Sequence, residues 1–264
     1  MGLIDTHAHY HDPRFDGDRD EILSRLGEPS EYCPAGVEAV VEQGCDLATS
    51  RVAADLADRF PRVYAAVGVH PEDCLTWTED TPDELRALLD RPKVVALGEI
   101  GLDRHWEGPE CPWETQKRVF LAQMELARET GYPVCVHDRE AHGEIFEIIR
   151  SFPGVVGVMH AYSGSGEMAR QLVRLGWTIG FGGTLTFKNA RNVREVAKVV
   201  PLDRVVVETD CPYLAPEPWR GTRNDSRKAW AVAAALAEIH GVTPEKMTEI
   251  TGENARRFYR MLQK

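Results

Sequence analysis

The stretch VVALGEIGLDRHWEGPECPWETQKRVFLAQMELARETGYPVCVH, residues 94–137, carries the decision about the fold. It begins and ends in short apolar runs, 94–99 and 133–137, of the length and composition of buried strands. Between them 107–112 reads as a loop. From 113 to 130, Trp113, Gln116, Phe120, Met124 and Ala127 keep one helical stripe, which Gly131 and Pro133 then stop. Strand, amphipathic helix, strand is a unit whose two strands lie parallel.

Working outward, the same alternation recurs almost throughout. Further strands are expected near 3–8, 37–42, 63–69, 155–159, 177–181 and 204–209, which makes eight in all, and 29–36 reads as a second loop. Eight such units predict an α/β fold of the closed (β/α)8 kind, the TIM barrel, and a barrel of this type fills about 250 residues as one domain. A single domain over 1–264 is therefore expected, with residues 254–262 as a terminal helix packed on the barrel. No internal repeat or low-complexity tract interrupts the pattern.

Barrels of this kind build their active sites at the C-terminal ends of the strands. His7 and His9 close the first strand, and side chains two apart on a strand face the same way, so both imidazoles can converge on one ion. Glu99, His137, His160 and Asp210 each follow an apolar run, at the ends of strands 4, 5, 6 and 8. Singly, each of them is more often a capping or satisfied polar group. Together, four imidazoles and two carboxylates at one rim are a donor set for one or two divalent metals. That set suits zinc, manganese, iron, nickel or cobalt, with magnesium less suited to so many histidines.

Composition limits the partners. The net charge of −11 argues against a broad basic surface for gripping duplex nucleic acid. The six cysteines form no C-x-x-C and read as free thiols in a reducing compartment. There is no charged-then-apolar leader and no run of about 18 apolar residues, so a cytoplasmic protein without a membrane partner is expected.

Several phrases then stand out: Leu3-Ile4-Asp5-Thr6-His7-Ala8-His9, Gly68-Val69-His70-Pro71, Gly98-Glu99-Ile100-Gly101-Leu102-Asp103, His137-Asp138-Arg139, His160-Ala161-Tyr162-Ser163-Gly164-Ser165, Glu208-Thr209-Asp210-Cys211-Pro212-Tyr213-Leu214 and Arg220-Gly221-Thr222-Arg223-Asn224. The order of ligand residues resembles the amidohydrolase superfamily, and the phrases resemble its TatD family of metal-dependent deoxyribonucleases. The resemblance implies that His7, His9 and Asp210 hold one metal and His137 and His160 the other, with Glu99 bridging. Two departures fall in loops that would face substrate: Arg104-His105 after Asp103, where aromatic residues are usual, and Ser226, where proline is usual.

The reaction expected from this set is phosphodiester hydrolysis, in which the metals lower the pKa of a bound water from about 15.7 toward 7. Asp210 is the expected general base. His70 and Arg139 are candidate phosphate contacts, against competing readings as a capping histidine and a surface ion pair. Asp5 is read either as orienting an imidazole or as a buried structural carboxylate. Asp103 has no derivable role, and His11, His105, His142 and His240 read as structural or solvated. Lys188, Arg220, Arg223 and Asn224 lie where they could meet a nucleic-acid backbone or simply be solvated. The favoured partner is single-stranded DNA or a free DNA end, cut by a monomer. A small-molecule hydrolase for amides, lactones or phosphoesters and a non-catalytic metal-binding protein remain as alternatives.

Overall fold

The structure, a computed structural model, describes residues 2–259. Eight strands among them form one parallel sheet in sequence order: β1 (Leu3–Ala8), β2 (Val37–Gln43), β3 (Val63–Val67), β4 (Val94–Asp103), β5 (Val134–Arg139), β6 (Gly157–Met159), β7 (Thr178–Phe181) and β8 (Val205–Val207). Helices α1 (Arg19–Ser24), α2 (Leu47–Arg59), α3 (Thr81–Leu89), α4 (Trp113–Thr130), α5 (His142–Ser151), α6 (Gly166–Arg174) and α7 (Arg191–Val199) are the crossovers. Two more, α8 (Ala229–His240) and α9 (Pro244–Phe258), follow the last strand. The edges meet just beyond β1 and β8: His9 donates its backbone N–H to Cys211 (2.8 Å), and Asp210 donates to His7 (2.9 Å). The expected (β/α)8 barrel is the fold observed.

Two large apolar clusters build most of it, with a small third one of Val69, Cys74, Cys111 and Val119. One lies between strands and helices and includes Leu3, Leu97, Phe120, Trp177 and Leu236. The other, inside the strands, joins Ile4, Ala39, Val41, Ala66, Val95, Val158 and Val206 to Ala255 and Tyr259 of the α9 end. The terminal helix thus plugs the barrel, though 260–262 of the expected helix lie outside the described residues. Strict alternation along β1 would put Ile4 and His7 on opposite faces. The register irregularity between Asp5 and Ala8 is what allows Ile4 to fill the interior while His7 and His9 face the rim cluster.

The strand bounds differ from expectation where they position the site. β3 ends at Val67, and β4 runs to Asp103, so Glu99 lies within a strand and not past its end. Gly101 permits the extension: its φ is +146°, and a Cβ there would stand 2.0 Å from the His137 carbonyl oxygen. α4 occupies the predicted 113–130 and ends on Gly131 in the left-handed conformation. Its two buried glutamines hold the rim. Gln116 pairs both side-chain ends with Asp103 backbone, and Gln123 does the same with Val69.

Candidate metal centre

The six rim residues predicted from sequence converge around Glu99, whose carboxylate is buried and whose two oxygens face different neighbours. Oε2 lies 3.2 Å from His7 Nε2 and 3.6 Å from His9 Nε2. Oε1 lies 3.0 Å from His137 Nδ1 and 3.7 Å from His70 Nε2. On the first side, Asp210 Oδ1 stands 3.3 Å from His9 Nε2 and 3.7 Å from His160 Nε2. His7 and His9 bring their Nε2 atoms to 3.1 Å. Two donors each about 2.1 Å from a tetrahedral ion stand about 3.4 Å apart, so this spacing and this chemistry fit a metal shell. The grouping departs from the expected partition in one respect. His160 clusters with His7 and Asp210, whereas His137 clusters with Glu99 and His70.

Neighbouring groups hold these rings. Asp103 Oδ2 lies 2.9 Å from His137 Nε2, so His137 is gripped between two carboxylates, and despite burial its pKa is raised to about 10 by Asp103 and Glu99. Glu208 Oε1 accepts the Ala161 N–H and sits 3.0 Å from His160 Nδ1, near enough for ion pairing though off the hydrogen-bond direction. The buried thiol of Cys135 lies 3.3 Å from His7 Nδ1. Desolvation raises the Glu99 carboxyl, but His7 and His137, one beside each oxygen, outweigh it and hold it well below the usual range. Such supporting contacts fix ring orientation and tautomer at metal sites. Sequence reading missed Glu208 and Cys135 and left Asp103 without a role. Glu208 opens the phrase that contains Asp210, which was the available signal.

His70 fits its capping reading, and its second nitrogen is turned toward the centre. Its Nδ1 accepts the Glu72 N–H at 3.2 Å, capping a short 3-10 turn, while its Nε2 faces Glu99. Burial pushes its pKa down to about 3, so the ring is neutral. Arg139 is exposed at the end of β5, with its guanidinium 5.7 Å from the Trp106 ring centre. Asp5 touches no imidazole ring. It accepts from the Thr209 N–H (2.9 Å), the Thr209 hydroxyl (2.6 Å) and the His7 N–H (3.3 Å), tying β1 to the segment after β8; burial raises its pKa to about 7. Asn224 is fully buried and donates to the Thr209 and Tyr213 carbonyls, so it shapes the Asp210 turn instead of meeting a ligand. Arg223 is paired with Asp18, Arg220 lies over Phe187, and Lys188 is exposed. His105 pairs with Glu140 and His142 with Asp138. His11, in contrast, sits beside the centre, its ring 5.4 Å from that of His9.

A TIM barrel with imidazoles and carboxylates gathered at the C-terminal rim defines the metal-dependent hydrolase class. The family model of TatD related DNase matches residues 4–260. The metal-dependent hydrolase YabD of Bacillus subtilis (strain 168) is 38% identical over 261 residues, covering 98% of this chain and 99% of its own. The 3'-5' ssDNA/RNA exonuclease TatD of Salmonella typhimurium (strain LT2) is 29% identical over 271 residues, covering 98% of this chain and 100% of its own. Among solved structures, the TatD homolog YjjV of Escherichia coli K12 superposes with a TM-score of 0.88 at 30% identity and 98% coverage of both chains. The chain belongs to the TatD related DNase family. Among the described residues, no helix is long and apolar enough to cross a membrane.

Proposed function

We propose that the protein is a divalent-metal-dependent nuclease that trims single-stranded DNA from an end, with His7, His9, Glu99, His137, His160 and Asp210 as the metal ligands. The observation that carries this reading is the two-sided carboxylate of Glu99, which has imidazole donors on each oxygen. The exonuclease name of the Salmonella relative supports the substrate class. All six donors come from one chain, so the site needs no second copy, and a monomer is the reading adopted.

Divalent ions held there would activate water and polarise a phosphoryl oxygen. Asp210 is the proton acceptor. Its carboxylate reaches both His9 and His160 yet keeps 18% of its side-chain surface exposed, against 4% for Glu99. Desolvation raises its pKa, but His9, His160 and His7 together bring it below the ordinary value, so it stands ready as a base. The attacking water would give its proton to Asp210 as the new P–O bond forms, and Asp210 would pass that proton to the leaving nucleotide oxygen as its bond to phosphorus breaks. His70, whose Nδ1 is occupied as an acceptor, carries its ring proton on Nε2 and can donate it to a phosphate oxygen. Arg139 supplies positive charge for a flanking phosphate.

The test is cleavage of end-labelled single-stranded DNA by protein stripped of metal and reconstituted separately with magnesium, manganese and zinc. A ladder growing from one end, absent without metal, is expected. Turnover of lactones or amides with no DNA cut under any metal would replace this reading with the small-molecule hydrolase.

A further inference from the structure

Beside the centre, a second set of donors remains without a role. His9, His11 and Cys45 each bring a ligand atom within 4.8 Å of the others. Cys45 Sγ lies 3.7 Å from His9 Nδ1, the ring nitrogen opposite the one that faces Glu99 and Asp210. The expected sulfur-to-nitrogen separation on a tetrahedral zinc, with bonds of about 2.3 and 2.1 Å, is about 3.6 Å. His11 is already oriented for such a task. Its Nδ1 lies 2.9 Å from Glu42 Oε1, and the same buried carboxylate accepts the backbone N–H groups of Tyr10 and His11, each at 2.8 Å. This is the carboxylate-to-histidine arrangement that fixes metal-binding imidazoles, and it leaves His11 Nε2 as the free donor. Access also singles out this thiol. Of the six free cysteines, Cys45 alone is only partly buried.

We propose that His11, Cys45 and Nδ1 of His9 form an accessory site for a thiophilic divalent ion such as zinc or cadmium, separate from the six-residue centre but coupled to it through His9. A thiolate with two imidazoles selects softer ions than the carboxylate-rich centre does, so manganese and magnesium leave this site unfilled. Binding displaces to solvent the thiol proton of Cys45 and the Nδ1 proton of His9, whose ring then spans the two positions as an imidazolate. Because His9 offers one nitrogen to each side, an ion beside Cys45 draws on a residue that faces the centre. Excess zinc or cadmium then inhibits, while manganese does not. The coupling to activity rests on the proposed role of His9; the existence of the site does not.

The experiment adds cadmium to the manganese-loaded full chain and follows the ultraviolet sulfur-to-cadmium charge-transfer absorption, which reports thiolate ligation and nothing else. Wild type should develop the band to saturation. Cys45→Ser should lose it while keeping the wild-type circular dichroism and manganese content, and His11→Ala should weaken cadmium binding by about 10-fold or more. Cadmium inhibition of turnover should disappear in Cys45→Ser. A band that survives in Cys45→Ser, or no band in wild type at any cadmium concentration, overturns the site. A Cys45-dependent band without inhibition keeps the site and overturns the coupling.

Discussion

Each oxygen of Glu99 has its own company, and the residues behind that company set how firmly the rings are held. Asp103 fixes His137 through the nitrogen that Glu99 does not touch. Asp103→Ala should therefore lower metal affinity by about 10–100-fold without unfolding the barrel, read by competition with a chromophoric chelator. Unchanged affinity would make Asp103 a loop anchor only, through its acceptance of the Trp106 N–H. Asp210→Ala should lose turnover by about 100-fold or more and keep its circular dichroism, and wild-type-like cleavage would remove Asp210 from the mechanism. The six residues gathered at the rim were legible because each closes or follows an apolar run in the sequence. Asp103, Glu208 and Cys135 were not, because what identifies each is a ring nitrogen from a different strand. Asn224 misled for the converse reason: a polar residue in a loop looks solvated until its two carbonyl partners are seen.

At the scale of the element, α4 does more than cover the sheet. Gln116 was read as one member of an apolar stripe, and it is buried there, but its amide and that of Gln123 pair with backbone at the ends of β4 and β3. Gln123→Leu strands the N–H and C=O of Val69 next to His70, and it should cost about 2–4 kcal/mol in urea unfolding. α9 is tied to β2 by Arg256, which makes two hydrogen bonds to Glu38, at 2.8 and 2.6 Å. Partial burial raises the Glu38 pKa, but Arg256 and the Gly2 N–H more than reverse it, so the net shift is downward. An acid depressed in the folded state contributes stability above its unfolded pKa and loses it as pH falls through the folded one. Arg256→Ala should therefore destabilise by about 1–2 kcal/mol at neutral pH, and the gap to wild type should shrink in acid. The helix periodicity located α4 to the residue. The length of β4 escaped because only the carbonyl of His137 explains why position 101 must be glycine.

For the whole molecule, the sequence order of the strands and the contact between the ends of β1 and β8 bring His7 and Asp210 together across the full length of the chain. Alternation of strand and helix made that architecture legible, since parallel neighbours with helical crossovers leave few other closures. The acidic surface has a consequence of its own. With a net charge of −11, few phosphates can be neutralised outside the centre, so kcat/KM on an oligonucleotide should fall only shallowly with salt. A logarithmic slope near −0.7 to −1.4, the value for about one or two phosphates on a single strand, is expected. A much steeper slope would reveal a basic track that the structure does not lead one to expect. The most direct measurement is the manganese content of wild type and Glu99→Ala after equilibrium dialysis, with cleavage of single-stranded DNA read on the same samples. Two ions in wild type, with one or none and no cleavage in Glu99→Ala, would establish Glu99 as the carboxylate joining two metal positions. Equal manganese content and equal cleavage in the two proteins would contradict it.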